Sequence, residues 1–176
     1  MFESKYSKVL TVILVIVIIA ILALLGFLGY DIYQKYFIES EAAAFVENFE
    51  KEKKKEKQKQ NQVADGNVTN PLDKVGETPG SSSGNGENGQ PTYKGFNMVG
   101  TMVIPATNFQ YPILEKVTRK SIETAVAVLY GAGVNQVGNT VIIGHNYRNG
   151  LFFSNNKKLN IGDKIYITDN SGNKLT

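Results

Sequence analysis

The stretch Val9–Tyr30 reads VLTVILVIVIIAILALLGFLGY, 22 residues without one charged side chain. As a helix it rises about 33 Å at ~1.5 Å per residue, against ~30 Å for the hydrocarbon core of a bilayer. Such a segment has to satisfy its own backbone hydrogen bonds, which in lipid means a helix. A cleaved secretory signal is a poor alternative. Its apolar stretch is only about 7–15 residues long and ends in a small-x-small site, and no Ala-x-Ala follows this run. A buried core helix is no better, because the rest of the 176-residue chain is too polar to surround it. The expectation is an uncleaved transmembrane anchor over residues 9–30, with the lipid bilayer as its partner.

Basic residues flanking an anchor decide its orientation. On the N-terminal side lie Lys5, Lys8 and the free amine. On the other side Lys35 stands among Asp31, Glu39 and Glu41. Residues 1–8 are expected in the cytoplasm and everything after residue 30 outside the cell membrane, as a single-pass protein. The charge is uneven along the chain. Residues 1–30 carry +1, residues 31–92 carry −3 and residues 93–176 carry +5, within an overall +3.

Residues 31–64 read as a charged helical stalk. Ile38, Ala42, Phe45 and Phe49 recur at helical spacing on one face. The following EKEKKKEKQKQ mixes charges on all faces and predicts a solvated segment. Its lysines are interrupted by Glu50, Glu52 and Glu56 and lie outside the cell, so no nucleic-acid partner is expected. Residues 65–92 turn to Gly, Ser, Asn and Pro, a composition that cannot offset its ordering entropy, and predict a flexible linker. Asn67-Val68-Thr69 matches a glycosylation sequon inside it.

From residue 93 to 176 the texture predicts a mainly β domain with a short helix. Met98–Ile104 reads as an apolar strand stopped by Pro105. Gln110–Leu114 reads as a second, with Pro112 suggesting a sheet edge. Thr118 is an N-cap candidate for an amphipathic helix carrying Ile122, Ala125, Val126 and Leu129, ended by Gly131 and Gly133. Val141–Ile143 predicts a buried strand running into Gly144 and His145. Leu151, Phe152, Phe153 and Leu159 are expected to cover the core from a short helix, and Ile165 and Ile167 to face one way on a strand over 164–168. A hairpin turn at Asp169–Asn173 then leaves three residues, where a strand normally takes about five or six. The expectation is the first part of a larger barrel.

There is no cysteine, which excludes disulfides, thiolate metal sites and a cysteine nucleophile within these 176 residues. One histidine leaves only scattered carboxylates for a metal, so no metal site is expected. A lone histidine is more often structural than catalytic. His145, however, stands where a core strand runs out, between Gly144 and the polar Asn146-Tyr147-Arg148. Strand ends are where a rigid scaffold presents side chains to a cleft. Position alone leaves both readings of His145 open.

Asn139–Asn146 (NTVIIGHN), the following NGLFF, and LNIGDKI over 159–165 together resemble the sortase family, as do GTMVIP over 100–105 and Tyr111-Pro112-Ile113. The resemblance spans residues 97–173 and extends to the layout of anchor, stalk and linker. It implies a sortase-type β-barrel and a membrane-tethered cysteine transpeptidase of a Gram-positive-type cell wall. Such an enzyme cleaves a sorting signal in a secreted protein, holds the acyl fragment as a thioester, and passes it to a cell-wall or pilin amine. A thiolate attacks, a histidine moves the proton, and an arginine stabilises developing charge. Of the three, only the histidine maps here, onto His145. The family's Cys and Arg would fall beyond Thr176, and neither Arg119 nor Arg148 occupies the arginine's place. No cofactor is implied.

Three readings follow from different classes. The leading one is a sortase-like transpeptidase represented by an N-terminal portion that ends before the nucleophile. The alternative is a catalytically inactive, membrane-tethered module with a sortase-like shell, whose basic outer domain binds or scaffolds the cell wall. A third, that the chain is itself a sorting substrate, lacks an L-P-x-T-G-like signal.

Overall fold

The computed structural model describes residues 3–63 and 89–176. The sequon at 67–69 and residues 65–88 of the expected linker over 65–92 lie outside the described residues, and its last residue, Thr92, belongs to a strand. The chain forms two compact units, Met1–Ile38 and Glu39–Thr176. Helix α1, Glu3–Val63, contributes to both.

The first unit is helical, and its apolar side chains from Val9 to Phe37 are largely exposed. A helix so apolar, with none of its most hydrophobic window buried by protein, is long enough to cross a membrane.

The second unit starts with the later part of α1. Ala42, Phe45, Val46 and Phe49 are all buried, a face with spacings of three, one and three. Phe45 meets Tyr93 edge-on at 4.7 Å and stacks with Phe49 at 6.5 Å. The solvated segment expected after residue 49 is therefore only partly free. Glu50 accepts hydrogen bonds from Thr168 Oγ1 (3.0 Å) and Lys174 Nζ (3.1 Å), and Lys57 Nζ donates to Asn173 Oδ1 at 2.8 Å. At the other end of this face Lys94 pairs with Glu41 at 2.7 Å. The helix is thus docked along its apolar face and pinned at its polar margins.

Among the described residues seven strands form one sheet. They are β1 (Thr92–Tyr93), β2 (Phe96–Ile104), β3 (Phe109–Leu114), β4 (Val126–Gly131), β5 (Thr140–Ile143), β6 (Tyr166–Asp169) and β7 (Lys174–Leu175). The order is β5-β4-β3-β2-β6-β7, with β1 beside β2. All pairings are antiparallel except β3 with β4. Lys94 and Gly95, both at positive φ, make the tight turn between β1 and β2, a geometry that suits the twist of a two-residue hairpin. The sheet curls into a half-barrel. Thr140 and Ile142 near one edge line the same cavity as Ile165, Ile167 and Leu175 near the other. Asn135 Nδ2 bridges the gap, donating to Ile167 O (3.3 Å) and Asn173 O (2.8 Å). Met98, Met102, Ile104, Phe109, Tyr111, Ile113, Leu114 and Val126 are all buried and make up much of the core on the two faces of the sheet.

Several expectations need correction. Helix α2 covers only Arg119–Thr124. Its N-cap is Thr118, with a capping box in which Thr118 Oγ1 accepts from Ser121 N and Ser121 Oγ accepts from Thr118 N. Ala125 is already extended, and Val126 and Leu129 belong to β4. The β-branched Val126 and Val128 favour a strand, and pairing with Ile113 and Leu114 overrides the helical spacing. Strand β3 is interior, not an edge. Pro112 is tolerated because β4 pairs only with Ile113 and Leu114, leaving that side of Pro112 without a strand partner among the described residues. Strand β5 is an edge of the sheet and only half-buried, where a buried strand was expected. The short helix covering the core is a 3₁₀ helix over Phe153–Lys158.

The Asp169–Asn173 turn forms as expected and launches β7. Asp169 Oδ1 accepts from the backbone of Ser171 (2.9 Å) and Asn173 (2.8 Å), and Oδ2 accepts from the Asn173 amide (2.9 Å). Burial alone would push this carboxyl up. The donors from Asn173 and Ser171 outweigh it and hold it below the usual range. A depressed folded value stabilises above the unfolded pKa of about 4 and loses that contribution as pH falls through the folded value. Asp169→Asn should therefore lower the urea midpoint at neutral pH, and the gap to the parent should narrow as the pH is taken below the usual carboxylate range. A gap of the same size at neutral and acid pH would rule out the charge as its cause.

Candidate active site around His145

Strand β5 carries the chain out of the sheet at Ile143, and Gly144 makes the exit possible. A Cβ on Gly144 would lie 2.7 Å from Val126 Cγ1 and 3.0 Å from Phe153 Cδ2. Only a residue without a side chain lets this backbone lie between β4 and the 3₁₀ helix. His145 follows, and its carbonyl accepts from Phe153 N at 3.0 Å. Asn146 forms an isolated antiparallel bridge with Phe152. Phe152 takes positive φ (54°), uncommon for a bulky residue, and this places its ring in the core.

The His145 ring is half-exposed and stacks on Tyr147, with centroids 4.6 Å apart and planes at 23°. Tyr147 meets Phe152 at 5.9 Å, and Phe152 meets Tyr111 of β3 at 5.1 Å. Phe109 contacts both Tyr111 (4.9 Å) and Phe153 (5.1 Å). A continuous run of rings thus ties the histidine to the sheet. Burial, with the Glu39 carboxylate nearby, pushes the Tyr111 phenol far above its ordinary value, so Tyr111 is a neutral wall of this core. The imidazole is held by stacking and by its own backbone, with one side toward solvent. This suits a group that exchanges protons with a bound molecule.

Beyond Tyr147 lies a cleft of about 480 Å³ lined by Asn146, Tyr147, Arg148, Ser154, Lys157 and Lys158, among others. Arg148 lines this cleft. Arg119 opens α2, is exposed and pairs with Glu123 at 3.6 Å. Among the described residues no cluster of His, Asp or Glu is placed to hold a metal.

Sequence reasoning singled out His145 and stopped at Arg148. It missed the Tyr147 stack and the cleft. The available signal was the absence of any Asp or Glu between Glu123 and Asp163, a stretch that contains Arg148, Lys157 and Lys158.

The arrangement meets three comparisons with known proteins. The family model described as Sortase domain matches residues 102–176. Over 74 residues the chain is 34% identical to Sortase A of Bacillus anthracis, an alignment covering 42% of this chain and 35% of that protein. The crystal structure of Streptococcus agalactiae sortase C1 in complex with MTSET aligns at 26% identity and a TM-score of 0.38, over 44% of this chain and 43% of that one. The lid mutant of the same sortase aligns at 26% identity and a TM-score of 0.38, over 43% and 41%. The chain thus spans about a third of the curated relative and under half of each solved structure. Over residues 102–176, which include β3 to β7 and His145, the chain is similar to the sortase family.

Proposed function

We propose that this chain is the membrane-anchoring and histidine-bearing portion of a sortase-type cysteine transpeptidase. The observation that carries the reading is His145, presented from the end of β5 within the family-matched residues. In the reaction, a thiolate attacks the carbonyl of a sorting signal in a secreted protein. His145 protonates the departing amine and later takes a proton from the incoming cell-wall or pilin amine. The sequence has no cysteine, so the thiol, and the arginine that steadies the oxyanion, come from polypeptide outside residues 1–176. The apolar helix anchors the assembly in the cell membrane. Lys5 and Lys8 keep the N-terminus in the cytoplasm, with the β domain outside, tethered by the stalk and the linker.

The second reading, a non-catalytic module that binds the wall, is favoured by the same missing thiol and by the basic cleft beside Tyr147. One experiment separates the two. The 176-residue chain alone should neither cleave sorting-signal peptides nor react with thiol-directed vinyl sulfones. Joined to its continuation with a cysteine strand, it should do both, and protease added to intact protoplasts should remove its β domain while sparing the N-terminus. A continuation that lacks a cysteine, or one that restores no thioester, favours the binding module. A β domain fully shielded in protoplasts rules out the orientation.

A further inference from the structure

We infer that the cleft beyond Tyr147 is an anion site that takes a phosphate-class group. Arg148 reaches it from the loop after β5, and Lys157 and Lys158 from the last turn of the 3₁₀ helix. Asn146 and Asn155 add neutral amide donors. No carboxylate lines the cleft, and none occurs anywhere between Glu123 and Asp163. Among the described residues none of the three cations forms an ion pair, whereas Lys51, Lys53, Lys94, Arg119 and Lys174 each have an acidic partner. Like charges gathered around one concavity repel one another and focus a positive potential into it. A ligand of matching charge relieves the repulsion. A single carboxylate would leave the set two charges in excess, so a phosphate or diphosphate is the better match. A guanidinium fork with flanking ammonium groups is the donor set such oxygens favour.

The loop is held in shape before any ligand arrives. Gly150 N donates to Tyr147 O (3.3 Å), Leu151 N to Asn149 Oδ1 (3.2 Å), and Asn155 Nδ2 to Gly150 O (3.4 Å). Ser154 Oγ donates to Leu151 O. Preorganisation of this kind lowers the cost of binding.

The test is binding alone, so it stands or falls apart from the transpeptidase reading. The full chain, ¹⁵N-labelled in phosphatidylcholine nanodiscs, is titrated with inorganic diphosphate. Saturable amide shifts confined to residues 146–158 are expected. The R148Q/K157Q/K158Q variant should bind at least about tenfold more weakly, the loss expected for one charge-assisted hydrogen bond. The K116Q/R119Q/K120Q variant removes the same charge elsewhere and should bind as the parent does. Nanodiscs containing phosphatidylglycerol identify the source. The same amides shifted before diphosphate is added support the site with a lipid headgroup as its ligand. Shifts that appear only with diphosphate support it with a soluble phosphate. No saturable shift in either arm, or equal weakening by both triple variants, overturns the inference.

Discussion

On the proposed transpeptidase reading, His145→Ala should lower transpeptidation by about 10²–10⁴-fold in a polypeptide that joins this chain to a cysteine-bearing strand, a barrier increase of about 3–5 kcal/mol. The amine leaving a peptide bond is a poor leaving group unless protonated, and His145 is the one imidazole in the sequence. Alanine removes the proton carrier while leaving the backbone carbonyl that accepts from Phe153 N, so the loop retains that anchor. The measurement is kcat/KM for a sorting-signal peptide with an amine acceptor, alongside the yield of trapped thioester. Loss of turnover with the fold intact supports proton transfer. Full rate in His145→Ala would make His145 a structural histidine, held by its stack on Tyr147. Tyr147→Leu makes a useful companion. It removes the stacked ring beneath the imidazole, and a smaller loss than that of His145→Ala is expected if the stack only orients it.

Phe45→Ala should destabilise the β domain by about 3–5 kcal/mol, the usual cost of emptying a buried phenylalanine site. Phe45 lies on α1, outside the β sheet, yet it is buried against Tyr93 and Phe49. The loss is therefore one of the core itself. Marginal domains have only about 5–15 kcal/mol in hand, so the variant sits close to unfolding. Urea denaturation of the full chain in detergent, followed by tyrosine near-UV dichroism, reads the shift. Lys54→Ala on the exposed side of the same helix should leave the midpoint in place. If Phe45→Ala also leaves it in place, the docked face contributes nothing to the stability of the domain.

The parts of the molecule legible in the sequence are those with local causes. Thr118 caps α2 through its own hydroxyl, and Asp169 closes its turn with its own carboxylate, so both could be read from a few neighbouring residues. The face through Ala42, Phe45 and Phe49 was visible as a spacing. What it docks on was not, because Tyr93 lies far along the chain. The same limit explains the error at Ala125–Leu129. The helical spacing was genuine, but the partner strand that overrides it, Ile113–Leu114, sits outside the window that shows the spacing. Pro112 misled in the opposite way. It does mark a missing strand neighbour, but over only part of a strand that is interior elsewhere. At the site, strand-end position and family resemblance together pointed to His145. The cleft beside it escaped although its lining falls within residues 146–158, because the signal there is a lack of acids and not a motif.

The docked helix also bears on what a cut in the chain would release. Residues 39–63 and 89–176 are held together by buried rings and by the Glu41–Lys94, Glu50–Lys174 and Lys57–Asn173 contacts, quite apart from the peptide chain between them. A single cut between residues 63 and 89 breaks the covalent link and leaves this non-covalent one intact. Release of the β domain is then governed by how fast the helix lets go, and a nicked molecule stays in one piece for the lifetime of that contact.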